Sequence, residues 1–307
     1  MKKIWIAIIV VFIIISCGKT ESGPTSIDPP LVPILDSLFF GTDSTFEIVT
    51  WNIQNFPKED MITADYVVQI IMAIDADVFA LQEIESSSYF DFDYVVDELQ
   101  EIDSLYNWDG YKANSDTYGN LAYIYKNDFV EVDSIYEIYQ DDWYAFPRCP
   151  LVFELTYDEQ ELVIIDNHLK AGGDSEDEDR REEASQKLQA FIDSSFTDME
   201  VILVGDLNDD ISEPQNTNVF WNFISQPDNY LFTDMEIAEG SSSNWSYPGW
   251  PSHLDHILIT NELFDEFSLP SAAIQTLKID NYLEGGWNEY YENVSDHRPV
   301  GLKLYFE

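Results

Sequence analysis

An α+β domain of at least two layers is what this 307-residue chain predicts, and three features carry that expectation. Short runs of β-branched and aromatic residues, bounded by turn-forming residues, outnumber the stretches with helical spacing. Hairpin-like breaks such as Tyr157-Asp158-Glu159-Gln160 separate several of those runs. No change of composition and no second linker divides the chain after about residue 45, so one large domain is expected. Two antiparallel-rich sheets face to face, with helices outside, fit this tally.

The chain opens with Lys2, Lys3 and an unbroken apolar run over residues 4–15. That run is short for a membrane span and suits a secretory signal. Ser16-Cys17-Gly18 follows and resembles the cleavage box of bacterial lipoproteins, in which the cysteine becomes the lipidated first residue. Residues 1–16 are therefore expected to be a signal peptide. Residues 17–45, rich in Ser, Thr, Pro and Asp, are expected to be the lipidated Cys17 and a flexible tether. The resemblance implies export and anchoring through Cys17 to the bacterial envelope or cell surface; a plain secretory signal is the alternative. Residues 46–307 form the domain.

Residues 46–53 alternate apolar and polar like a strand, and 77–83 form the next one. Between them Val67, Ile70, Ile71 and Ile74 repeat at helical spacing after an expected N-cap at Thr63. Val95, Val96, Leu99 and Ile102 mark a second amphipathic helix. Residues 121–125, 130–139, 151–157 and 161–167 read as successive strands. A third helix is expected from about 177 to 194, with Ala184, Leu188, Phe191 and Ile192 as its buried stripe. Strands at 201–204, 256–260 and 300–306 complete the count. The acidic run at 174–179 offers oxygens to a structural Ca²⁺, but it lacks the Asp-x-Asp-x-Asp-Gly spacing. Acidic residues complementing the dipole at a helix start are the preferred reading.

The formal charge of −45, from 59 acidic and 14 basic residues, gives solubility, including in a salty medium, or marks a demand for divalent cations. Such a surface repels polyanions over roughly the Debye length, about 10 Å at 0.1 M salt. A phosphate substrate would need metal and local basic residues. Cys149 is the one cysteine left once Cys17 is lipidated, so no intrachain disulfide is available, and it is expected to be a small buried apolar group. Stability must come from a core, which 45% hydrophobic and 15% aromatic residues can supply.

The most informative stretch is Val201-Ile202-Leu203-Val204-Gly205-Asp206-Leu207-Asn208, a buried strand ending in a carboxylate and a carboxamide on a tight turn. Alone it is an ordinary Asx-type turn. It gains partners in Trp51-Asn52, Gln82-Glu83, Asn167-His168-Leu169, Pro251-Ser252-His253-Leu254-Asp255-His256-Ile257-Leu258 and Ser295-Asp296-His297-Arg298-Pro299, nearly all at strand ends. In this order the set resembles the endonuclease/exonuclease/phosphatase superfamily, over roughly residues 46 to 306. The resemblance implies a DNase I-like α/β/β/α sandwich of four layers, built on two mainly antiparallel sheets, and hydrolysis of phosphoesters.

A hard Mg²⁺ or Mn²⁺ held by one or two carboxylates suits that reaction. Glu83 is the first choice of ligand, with Asn52 offering a neutral oxygen or orienting a metal-bound water. The resemblance further implies that Asp206 aims or deprotonates the attacking water, or holds a second metal, and that Asn208 donates to phosphate. It makes His297 a charged imidazole partnered by Asp255, with Asp296 touching metal. His168 would bind phosphate or act as a general acid, and Arg148 would clamp the phosphate. His253 and His256 stand where inositol-polyphosphate phosphatases carry Trp and Arg, which argues against phosphoinositide specificity. Either could touch substrate or serve structure. The expected activity is a nuclease acting on DNA or RNA. A sphingomyelinase-like or other small-phosphoester enzyme, with Trp245, Tyr247, Trp250 and Trp287 as an apolar rim, is the first rival. A non-catalytic surface-binding lipoprotein is the second. No protein partner is inferred.

Overall fold

The computed structural model describes residues 35–85, 89–113 and 119–306, so the expected signal peptide, Cys17 and the first part of the tether lie outside the described residues. The elements run β1 (Phe46–Phe56), α1 (Met61–Ile74), β2 (Val78–Ile84), α2 (Tyr89–Ile102), β3 (Trp108–Lys112), β4 (Asn120–Lys126), β5 (Val130–Glu137), β6 (Leu151–Tyr157) and β7 (Gln160–His168). They continue with α3 (Ser175–Ser195), β8 (Glu200–Asp206), α4 (Trp221–Ile224), β9 (Tyr230–Phe232), α5 (Met235–Ala238), β10 (Asp255–Thr260), α6 (Phe264–Ser268), β11 (Ala273–Thr276), α7 (Gly286–Asn293) and β12 (Val300–Leu304).

The strands form two six-stranded sheets, ordered β11-β12-β1-β2-β4-β3 and β5-β6-β7-β8-β10-β9. Pairing is antiparallel except for one parallel pair in each sheet, β1 with β2 and β7 with β8. Three apolar layers separate four structural ones, as expected of an α/β/β/α sandwich. Val49, Trp51, Phe79 and Ile124 pack beneath α1 and α2. Ile48, Ala80, Tyr123, Phe153, Ile164, Ile202 and Val204 fill the space between the sheets. Val163, Ile165, Val201 and Leu203 meet Ala184, Leu188 and Ile192 of α3. Central strands are thus buried on both faces, which explains unbroken apolar runs such as 201–204. Each fully buried large side chain contributes about 1.5–3 kcal/mol.

Three details differ from expectation. Helix α1 begins at Met61, so Thr63 is not its cap; the buried Thr63 Oγ1 instead accepts Glu59 N–H and donates to Asn293 O, both at 2.8 Å. Residues 35–45 do not behave as tether, because Leu35, Leu38 and Phe40 are buried against the first core layer. Helix α3 starts two residues early at Ser175, where the Asp174 side chain accepts the N–H groups of Glu176 and Asp177, each at 3.0 Å. That cap gives the acidic run its structural role.

Candidate active site

The parallel pair at the centre of each sheet brings two strand C-termini together at one edge of the sandwich. Asn52 and Glu83 come from β1 and β2, while His168 and Asp206 end β7 and β8. Asp255 opens β10 directly opposite Asp206 in the antiparallel register. Asp296 and His297 lie just before β12, whose first residue pairs with Thr50 of β1. Gly205 makes the approach possible: its φ is +140°, and a Cβ there would lie 1.9 Å from Asn167 O.

Asp206 is the hub. Its Oδ2 accepts Asn52 Nδ2 at 2.9 Å and stands 3.5 Å from His168 Nε2 and 3.7 Å from His297 Nε2. Its Oδ1 accepts the Asn208 N–H at 3.1 Å, which closes the turn with Asn208 at φ 56°. The Asn208 amide donates to Leu169 O at 3.3 Å. Asn52 Nδ2 also donates to Glu83 Oε1 at 3.0 Å, so one carboxamide joins the carboxylates of both sheets. Below it Gln82 Nε2 donates to Asp166 Oδ1 at 2.7 Å, a second bond between the sheets, and burial raises the Asp166 carboxyl well above its ordinary range.

The electrostatics divide the two histidines. His297 Nδ1 lies 2.7 Å from Asp255 Oδ2. Burial alone would favour its neutral form, but Asp255 and Asp206 outweigh that and raise its pKa to about 10. Burial, and then the Arg148 cation, lower His168 well below its ordinary value. Arg148 Nη2 stands 2.6 Å from His168 Nε2 and 3.0 Å from Nδ1. His168 is therefore the neutral imidazole and His297 the charged one. Burial with Asp255 and Glu83 nearby raises Asp206 to about 6 against the opposing His297 and Asn52. Burial and Glu83 also raise Asp296.

The donor set suits a hard cation. Glu83 and Asp296 present carboxylate oxygens at the partly open side of the site, where Gln54 Nε2 donates to Asp296 Oδ2 at 2.9 Å and Asn55 N–H to Glu83 Oε2 at 2.9 Å. Burial is the main cause of the raised Asp296 and Glu83 adds to it; a divalent ion would relieve both the repulsion and the cost of burying the charge. Asp206, Asp255 and His297 form a second group with ligand atoms within 4.8 Å of one another, although His297 and Asp255 already direct atoms at each other.

Every sequence-predicted site residue in the described chain, from Asn52 and Glu83 through Arg148, His168, Asp206, Asn208 and Asp255 to Asp296 and His297, lies in this one cluster. His253 and His256 lie apart, buried on Asp234. Gln54 was not singled out; its only signal is that it continues the Trp51-Asn52 run. Of the four rim aromatics, Trp245 donates to Ile237 O, Trp287 packs over Arg298 and Tyr290, and the Tyr247 ring lies 4.7 Å from the His297 ring. Trp250 alone among them is largely exposed, at 77%.

The sequence profile of the Endonuclease/Exonuclease/phosphatase family matches residues 49–297. A search of curated proteins finds no match. Among solved structures, the fold is similar to D. rerio TDP2 complexed with single strand DNA product (TM-score 0.61, 14% identity, 86% of this chain and 100% of that one). It is also similar to the human Nocturnin catalytic domain with bound sulfate anion (TM-score 0.60, 16% identity, 86% and 95%). A third similar structure is an endonuclease/exonuclease/phosphatase from Bacteroides vulgatus (TM-score 0.58, 13% identity, 86% and 100%). With the profile spanning most of the domain and the two-sheet sandwich beneath it, this chain belongs to the endonuclease/exonuclease/phosphatase family, a family of phosphoester hydrolases.

Proposed function

We propose that this protein is a divalent-metal-dependent phosphodiesterase that cuts nucleic acid outside the cytoplasm, tethered by lipidated Cys17. The observation that carries the chemistry is the placement of Asp206 between a neutral and a charged imidazole, beside the Glu83 and Asp296 carboxylates. Support for a nucleic-acid substrate comes from the similar TDP2 structure, which holds a single strand DNA product.

Each residue has a task in this reading. Arg148 and the Asn208 amide bind the phosphate. His297, held charged by Asp255, donates to an oxygen on which negative charge grows. Asp206, with its raised pKa near working pH, takes a proton from the attacking water. His168 is held neutral, so it does not give a proton to the leaving oxygen; its Nε2 accepts from Arg148 Nη2 and so orients the cation that binds the phosphate. Glu83 and Asp296, with Asn52 beside them, would hold Mg²⁺ or Mn²⁺. When bound there, such an ion would supply positive charge to offset the charge developing on the phosphate.

Incubating the purified protein with plasmid DNA and with RNA, with Mg²⁺ and with chelator, tests the proposal. Metal-dependent cleavage is expected; intact nucleic acid at every salt concentration, alongside product release from sphingomyelin or small phosphodiesters, would transfer the assignment to those substrates. Inertness toward all of them would favour a binding lipoprotein. Metabolic labelling with a fatty acid, lost in Cys17→Ser, tests the anchor.

A further inference from the structure

A second buried cluster lies behind the site. Asp234 follows β9, and its Oδ1 accepts the Ile257 N–H at 3.1 Å. Its Oδ2 is hydrogen-bonded to His256 Nδ1 at 2.6 Å, while His253 Nε2 stands 3.0 Å away in ion-pair range but without hydrogen-bond alignment. All three side chains are buried, and the two imidazole rings meet edge-on at 5.0 Å. Two histidines and an aspartate have the composition of a zinc site.

The hydrogen bonds assign the protons differently. His253 Nδ1 accepts the Ser246 N–H at 3.2 Å, so the ring proton sits on Nε2, where a metal would have to bind. His256 Nε2 lies 2.9 Å from Asp209 O, and a carbonyl only accepts, so Nε2 carries a proton. Asp234 is ionised, because despite its burial the two imidazoles hold its carboxyl below the ordinary range, so the 2.6 Å contact puts a proton on Nδ1 as well. His256 is therefore an imidazolium paired with the Asp234 carboxylate. Burial opposes that charge, and Asp234 reverses the effect and raises the His256 pKa.

What the pair joins gives it a purpose. The Asp209 carbonyl ends the turn that carries Asp206 and Asn208. The Asp209 carboxylate accepts Arg181 Nε at 2.8 Å, and Arg181 Nη1 reaches Lys170 O and Gly172 O just past His168. On the other side, Ser246 binds His253 while its Oγ accepts the N–H groups of Leu254 and Asp255 at 3.1 and 3.2 Å. Both segments supply residues to the candidate site from behind.

We propose that Asp234, His253 and His256 are positioning residues: the hydrogen-bonded Asp234–His256 pair, with His253 packed against its carboxylate, fixes the Asp206–Asn208 turn and the Asp255 end of β10 relative to one another for phosphoester hydrolysis. The proposal rests on the site roles given above. It is tested first without activity, by nitrogen-15 NMR of the histidine side chains near neutral pH together with metal analysis. Two protons on His256, a proton on His253 Nε2 and no ion bound there are expected. A metal on His253 Nε2, or a neutral His256, would overturn the pairing.

The second arm is kinetic. His256→Gln and Asp234→Asn should each lower kcat by about 10²-fold, while KM for bis(4-nitrophenyl) phosphate stays within about threefold. His256→Arg, which keeps a charge and donors in two directions, should recover at least about a tenth of kcat. Folded His256→Gln with unaltered kcat would overturn the proposal. If the unaltered protein turns over no phosphodiester, the functional reading fails, and the protonation states still decide the pairing.

Discussion

His297 Nδ1 meets Asp255 Oδ2 at 2.7 Å while its Nε2 faces Asp206, so the imidazole is held between two carboxylates on neighbouring strands. Burial would strip the ring of its proton; Asp255 is the main reason it keeps one. Asp255→Asn should therefore lower the His297 pKa and move the alkaline fall of activity to lower pH, with kcat down by about 10²–10⁴-fold. A pH–rate profile checks this. An unshifted alkaline limb would remove the charged imidazole from the mechanism.

Glu83 is placed to bind the metal. Mg²⁺ or Mn²⁺ should raise the thermal midpoint of the unaltered protein, because a ligand bound to the native state stabilises it. Glu83→Gln should lose most of that rise, and activity should fall with it. Thermal melts across a metal titration give the answer, and an equal shift in both proteins would count against Glu83 as a ligand.

Far from the site, burial, with Asp77 nearby, raises the Glu47 carboxyl to about 8, and burial raises Asp77 to about 6. Both groups bind protons more tightly folded than unfolded. The folded state therefore holds the extra protons between the ordinary carboxylate range and these raised values, and stability falls as pH rises through that window. Urea unfolding at about pH 5 and about pH 9 should show the loss, and Glu47→Gln should flatten it. A stability that climbs over this range in the unaltered protein would contradict the burial argument.

Charge gives the fourth expectation. Most proteins lose nucleic-acid affinity as salt rises, because bound cations are released from the phosphates. With a formal net charge of −45 the chain repels the polymer first. Raising NaCl from about 0.01 M to about 0.15 M should therefore increase kcat/KM on DNA at saturating Mg²⁺. A steady fall would show that local cations such as Arg148 govern encounter.

The central strands were legible because burial on both faces leaves continuous β-branched runs, as in β8 and β10. The strands that sequence reasoning missed are all edges: β3 carries Asp109 and Gly110, β9 has three residues, and β11 is Ala-Ile-Gln-Thr. An edge strand has one neighbour and little need of apolar alternation. At the site, carboxylates and histidines at strand ends could be read as motifs. That the Asn52 amide spans two sheets could not, since its partners lie 31 and 154 residues away. Asp234 escaped notice because nothing local distinguishes it; its meaning comes from His256, 22 residues on.

Asn52 also sets a limit on how the molecule can fail. One carboxamide measures the gap between Glu83 on the first sheet and Asp206 on the second, and the hydrogen bonds at either end tolerate only a few tenths of an ångström. Turnover is therefore a finer gauge of how the two halves are seated than any melting curve: a slip too small to expose the core would already silence the chemistry.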